Sequence, residues 1–265
     1  MREIGIDELK AIQLDMLKDI HSFCVSHDIK YSLAFGSLLG AIRHKGYIPW
    51  DDDIDIMMRR DEYERFITTY GNDRYKIADL SVNPDYGLPF AKVEDVRTVM
   101  EESVEGGSAY GVYIDVFPVD SIPDDVSERK RYYQKKSILN ELYNLKTVKV
   151  NKERSIIKNA VLMISHVLLY IFSKQHIARM MSAYASRYQG QKTEYVGIVA
   201  PADSRIEETI PSDFFEEYVE LPFENVKVMS IKEYANYLRA FYGDYMKLPP
   251  VEKRISHHVF NAYWK

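Results

Sequence analysis

The chain has 265 residues, 46% of them hydrophobic and 28% charged, which is enough for one large globular domain or two small ones. A formal net charge of −5 gives no basic footprint for long nucleic acid. The single cysteine, Cys24, excludes an internal disulfide and a cysteine-rich zinc site, and no run of 18 apolar residues is present to span a bilayer.

The charged start MREIGIDELK carries no signal-peptide pattern, so the chain is expected to be cytoplasmic. Leu9, Ile12, Met16, Leu17, Ile20 and Phe23 recur at helical spacing and predict a helix over residues 7–27, with Asp7 as its N-cap. A short strand is predicted at 31–35, and a helix over 37–44. Gly36-Ser37 lies at the turn between them. Glycine there lets a phosphate approach backbone N–H groups, and Ser37 offers either a hydroxyl donor or a plain helix cap. Arg43, His44 and Lys45 follow as the nearest cations to the acidic cluster downstream. Arg43 suits a bidentate phosphate contact; Lys45 is read either that way or as a solvated turn residue. Tyr47 and Trp50 either line a pocket or pack as core.

Four aspartates then fall in five positions: Asp51, Asp52, Asp53 and Asp55. Like charges that close repel, and the usual reason to keep them is a bound cation. Alternation of Asp53-Ile54-Asp55-Ile56 predicts a strand with one carboxylate face and one apolar face. Asp53 and Asp55 share the first. Asp52 is expected on the other face, and Asp51 at the strand's edge. Two carboxylates so placed can hold Mg²⁺ against a phosphoryl group in transfer. Asp51, Asp53, Asp55 and Glu62 also match EF-hand ligand positions, but Ile56 stands where that loop needs glycine. A solvated acidic turn is the other bland reading.

Asp61 with Glu64 reads as a capping box opening a helix to Tyr70. Strands are predicted at 75–80, 90–94 and 97–101, the last two joined by a hairpin through Asp95-Val96. Residues 112–117 form another apolar strand with Asp115 at its centre, where a lone charge needs a partner or a metal. Pro118 and Pro123 are expected to end the sheet. Helices follow over 124–148, 152–173 and 175–188, then a short strand at 195–199 and a hairpin around Pro222. Ser230 with Glu233 reads as a second capping box, for a helix that Gly243 ends. Lys146, Lys149, Lys152, Arg154 and Lys158 lead into an apolar run, 160–172. That run reads either as a buried helix or as a surface helix resting on the inner leaflet of a membrane.

Three stretches, FGSLLGAIRHKGYIPWDDDIDI, IDVFPVDSIPD and YGDYMKLPP, together resemble the LicD family of the DNA polymerase beta-like nucleotidyltransferase superfamily. The resemblance runs from the first helix to the C-terminus and is weakest over 125–210. It implies an α/β (α+β) fold: a nucleotidyltransferase-like mixed sheet within 1–120, then a mostly helical part, 121–265, that closes the nucleotide cleft. It implies catalytic and metal-binding roles for Asp53, Asp55 and Asp115, with Mg²⁺ or Mn²⁺. Asp115 is read as a metal ligand or a general base. It adds phosphate contacts at Lys92 and Arg97, and a lid segment in which Asp244, Lys253, Arg254 and His257 are candidates. Gly36, Ser37, Arg43, Lys45, Trp50, Lys92, Arg97 and His257 make up the expected substrate-binding set. The implied reaction passes phosphocholine, or a related phospho-alcohol, from a CDP-activated donor to a glycan or lipid-linked glycan acceptor, a cell-surface or teichoic-acid-type precursor, releasing CMP. A nucleotidyltransferase that uses an NTP and releases pyrophosphate is the enzymatic alternative. A non-catalytic nucleotide-binding factor is the other alternative, and it would be expected to have lost one of the three aspartates.

Overall fold

The computed structural model describes residues 1–102, 110–148, 155–201, 205–254 and 260–265. The elements run β1 (Arg2–Ile4), α1 (Ile6–Ser26), β2 (Ser32–Leu33), α2 (Phe35–Arg43), β3 (Asp55–Arg59), α3 (Arg60–Thr69) and β4 (Tyr75–Ala78). Then come β5 (Ala91–Glu102), β6 (Tyr110–Ile122), α4 (Val126–Thr147), α5 (Ile156–Leu168) and α6 (Lys174–Ala185). The chain closes with β7 (Tyr195–Gly197), β8 (Ile210–Pro211), β9 (Tyr218–Phe223), β10 (Val226–Ile231), α7 (Tyr234–Tyr242) and β11 (Phe260–Trp264). The fold is α+β.

One mixed sheet organises the molecule, in the order β1-β11-β5-β6-β3-β2. Only β3 and β6 run parallel in it. β4 shares an edge of β5 with β11, taking residues 92–95 while β11 takes 98–102. The sheet thus draws strands from both ends of the chain. Helix α1 packs one face with Leu9, Ile12, Met16, Leu17, Ile20 and Cys24, all buried at three- and four-residue spacing. Its N-cap is Gly5, not Asp7, which lies in the first turn where a carboxylate favours the helix dipole.

Several local readings give way to tertiary contacts. No hairpin turns at Asp95-Val96: β5 is continuous, with a register shift between Asp95 and Met100. Side chains support that shift. Thr98 Oγ1 donates to the Asp95 carbonyl at 2.8 Å and accepts from the Val112 N–H at 2.7 Å. Opposite lies Gly111, where a Cβ would come within 2.1 Å of the Asp95 carbonyl oxygen. Pro118 does not end the sheet either. Pairing with β5 stops at Val116 and pairing with β7 begins at Asp120, so no antiparallel partner needs its missing N–H.

Neither expected capping box forms. Helix α3 begins at Arg60 behind Arg59, which makes no side-chain cap, and Ser230 lies buried in β10 while Glu233 stands at the N-cap of α7. Ser230 instead meets Ser32 of β2, whose Oγ accepts from the Ile231 N–H at 3.1 Å. The β9–β10 turn falls at Glu224-Asn225, with Glu224 in the left-handed region at φ 53°, and Pro222 sits inside β9 opposite Lys227. Gly243 does end α7, at φ 63°.

Candidate active site

Register alone builds the acidic row. Asp55 of β3 lies beside Asp115 of β6, and Asp115 lies opposite Lys92 of β5. All three side chains therefore stand on one face of the sheet, in line across three strands. The flanking residues Ile56, Ile114, Val116, Ala91 and Val93 fill the core behind it. Lys92 Nζ donates to Asp115 Oδ1 at 2.6 Å and sits 3.3 Å from the ring centre of Tyr113. A buried ammonium is held there by a carboxylate and the Tyr113 face, with the rings of Phe90 and Tyr110 each 5.9 Å away.

Strand alternation applies only from Asp55 onward, because residues 51–54 are not strand. Asp51, Asp52 and Asp53 each bring a carboxylate oxygen within 4.8 Å of the others. Asp52 thus converges with Asp53 rather than facing away from it. Among the described residues this is the one trio of acidic or metal-binding side chains so tightly grouped. Helix α2 braces it. A Cβ at Gly36 would lie 2.8 Å from Asp51 Oδ2, so glycine in the first turn of α2 admits a carboxylate to the positive end of the helix. Ser37, buried beside it, accepts the Asp55 N–H on Oγ at 2.8 Å and fixes where β3 starts.

Burial pushes the Asp55 carboxyl well above the usual carboxylate range. Repulsion from Asp53, Asp115 and Asp51 adds to this, and Lys92 opposes it. The donors are all carboxylate oxygens, which fits a hard divalent cation such as Mg²⁺ or Mn²⁺. Such an ion would reverse the balance of charge at Asp55.

Asp53, Asp55 and Asp115 open on a cavity of about 540 Å³. Six of its fifteen lining residues are aromatic: Phe35, Phe90, Phe117, Tyr143, Phe241 and Tyr242. Phe35 meets Phe117 and Phe241 edge-on at 5.4 and 5.6 Å, and Phe90 lies 4.6 Å from Phe117. Phe35 itself holds a left-handed φ of 41°, a backbone cost that the surrounding packing sustains. Burial, followed by the charges of Asp55, Asp51 and Asp53, pushes the Tyr242 hydroxyl upward. Arg205 and Glu208 line the cavity as well.

The expected cations are placed differently. Arg43, half-buried, donates to the Tyr245 carbonyl at 3.1 Å and to His44 Nε2 at 2.9 Å. Lys45 holds a left-handed turn at φ 62° and reaches the Ile42 carbonyl. Trp50 packs against the core with the Arg254 guanidinium 5.7 Å from its ring. None of these three lines the cavity. Arg97 is bound twice by the buried Asp95 and is not among the lining residues either. Lys92 reaches the row through Asp115, though it does not line the cavity itself. His257 lies outside the described residues.

Sequence reasoning missed the aromatic walls, because Phe35, Phe117 and Phe241 sit in three separate elements and carry no shared spacing. Arg205 and Glu208 stand at the two ends of a single 3₁₀ turn, Ile206–Glu208, that carries no motif. The signal for Phe35 was adjacency, since it precedes Gly36-Ser37 directly.

The family description "LicD/FKTN/FKRP, nucleotidyltransferase domain" matches residues 28–153. The lipopolysaccharide cholinephosphotransferase LicD of Haemophilus influenzae is 30% identical over 270 residues, covering 99% of each chain. An uncharacterised protein of Rickettsia typhi is 41% identical over 81 residues, 29% of this chain and 26% of that one. An uncharacterised protein of Rickettsia prowazekii is 44% identical over 64 residues, 23% of this chain and 24% of that one.

Proposed function

Because this chain belongs to the LicD family, we propose that it is a phosphocholine transferase, moving phosphocholine from CDP-choline to a hydroxyl of a cell-surface glycan precursor and releasing CMP. The observation that carries this reading is the pairing of two features in one cavity. Asp53 and the adjacent pair Asp55 and Asp115 line it, and so do six aromatic side chains. Carboxylates of this kind suit a metal-clamped diphosphate; aromatic faces suit a quaternary ammonium.

Asp53, Asp55 and Asp115 would hold the divalent cation, which supplies charge neutralisation of the diphosphate and a lowered pKa for the attacking hydroxyl. The chain's own groups do the rest. Lys92 fixes the Asp115 carboxylate at 2.6 Å, so that it can receive the hydroxyl proton or hold a ligand position without swinging away. Ser37 fixes the start of β3, and with it Asp55. Phe35, Phe117 and Phe241 exclude water and face the trimethylammonium head. Arg205 is the cationic side chain on the cavity lining; it lies 3.8 Å from Glu208 and would exchange that exposed pairing for the phosphates.

The test is a product assay. Purified protein with Mg²⁺ is offered CDP-choline, CDP-ribitol, CDP-glycerol and each NTP, with a glycan acceptor. CMP release from CDP-choline above the other donors is expected. Preferred release of CMP from a CDP-polyol would overturn the choline assignment, and pyrophosphate release from an NTP would overturn the reaction class.

A further inference from the structure

Helix α5 is built inside out. Its inner side carries Leu162, buried, with Asn159, Ser165 and His166 half-buried beside it. His166 Nε2 lies 2.8 Å from the Leu145 carbonyl of α4, and Lys146 Nζ donates to the Leu169 carbonyl at 3.1 Å. Its outer side is apolar. Ile156 is 88% exposed, Ile157 78% and Val167 75%, with Ile164 between them. The turn that follows adds Tyr170 and Ile171, the latter 81% exposed. At 100° per residue, Ile156, Ile157, Val161, Met163, Ile164 and Val167 fall within one outward arc. Burial, one of the two readings open from the sequence, therefore does not describe this helix.

The surrounding charge says what covers such a face. From Tyr143 to Thr193 the chain has nine lysines and arginines against a single acidic residue, Glu153, although the whole chain has more acidic than basic residues. Exposed Lys158 stands on α5 at the flank of the apolar arc, and exposed Arg179 is on α6. Lys149, Lys152 and Arg154, also expected in this patch, lie outside the described residues. A two-fold contact with a second copy would bring these basic regions together and repel. No helix of the described residues is long and apolar enough to cross a membrane.

We propose that α5 and the turn behind it, residues 156–172, rest in the interface of an anionic bilayer, apolar arc downward and lysines toward the headgroups. This surface is independent of the reaction proposed above, since no residue of the arc lines the cavity.

The full chain is sedimented with phosphatidylcholine vesicles, with and without phosphatidylglycerol, at low and high salt. Binding to the anionic vesicles at low salt, released by high salt, is expected. The double variant Ile157→Asp/Ile164→Asp should weaken that binding by about tenfold or more, because the buried apolar contact is what holds the helix in place. Val82→Asp, an exposed apolar residue elsewhere, serves as the control and should bind like the parent. Equal binding by the double variant, or none by the parent, would overturn the proposal. So would a concentration-dependent dimer in analytical ultracentrifugation that the double variant abolishes, which would assign the face to a second copy. Melting curves of both variants confirm that they fold.

Discussion

Burial that builds the acidic row works against the charge of Asp55, and this makes the residue testable by itself. Asp55→Asn should leave the fold intact and raise the melting temperature in chelator, because a buried, repelled carboxylate is replaced by a neutral amide. Turnover should fall by roughly a hundred- to a thousandfold or more, as it should for Asp115→Asn. Near-parent turnover in either variant would remove these carboxylates from the chemistry. Lys92 gives the opposite sign. Lys92→Met leaves the half-buried Asp115 without its ammonium and should cost about 1.5–3 kcal/mol by urea unfolding in chelator. Added Mg²⁺ should restore part of it. A cost under about 1 kcal/mol would mean that the pair contributes little. Asp55 and Asp115 were legible because a charge between apolar neighbours on a strand has few reasons to exist. Arg97 was misleading for an equally physical reason. Its fork found a nearer carboxylate, Asp95, two residues away in the same strand.

Elements were legible where their own periodicity decided them and illegible where a distant partner did. Helix α1 and the strands β3 and β6 follow their apolar patterns. The capping boxes had the right spacing, but Arg60 makes a buried two-pronged bridge to Asp120 at 2.7 and 2.8 Å, and this anchors the start of α3 to β6. No spacing rule links residues 60 apart. The same holds for α2 and the loop that feeds the acidic cluster. A Cβ at Gly40 would lie 2.4 Å from the Gly46 carbonyl oxygen, so helix and loop touch backbone to backbone. Gly40→Ala raises helix propensity by about 1 kcal/mol, yet it should destabilise by roughly 1–3 kcal/mol, because the loop has to move. Moving that loop shifts Asp51–Asp53, so turnover should fall with stability. Gly5→Ala, where nothing lies within 4 Å of the added carbon, is the control: it should cost only the loss of a glycine N-cap, about 1 kcal/mol or less, and leave turnover unchanged. A stable, fully active Gly40→Ala would show that the loop has slack.

At the scale of the whole molecule, the C-terminal hairpin β9–β10 closes onto the first elements of the chain, and a histidine reports the closure. The Met229 N–H donates to the Tyr31 hydroxyl at 3.2 Å, and that hydroxyl lies 2.9 Å from His21 Nδ1 on α1. Tyr31 has one proton to give, and burial pushes its ionisation upward, so it donates to His21 while accepting from Met229. His21 Nδ1 is then the acceptor and the ring is neutral. Burial lowers the His21 pKa from its ordinary value near 6.5, with a smaller opposing pull from Glu220. The sign follows. Stability from the neutral ring is fully present above the ordinary histidine value and is lost as pH falls through the lowered one, where a second ring proton meets a hydroxyl with no lone pair aimed at it. Melting temperature should therefore drop further between neutral and mildly acidic pH in the parent than in His21→Gln, whose amide oxygen accepts the same bond without titrating. Parallel curves for the two proteins would show that this contact does not report on the closure between α1, β2 and β10.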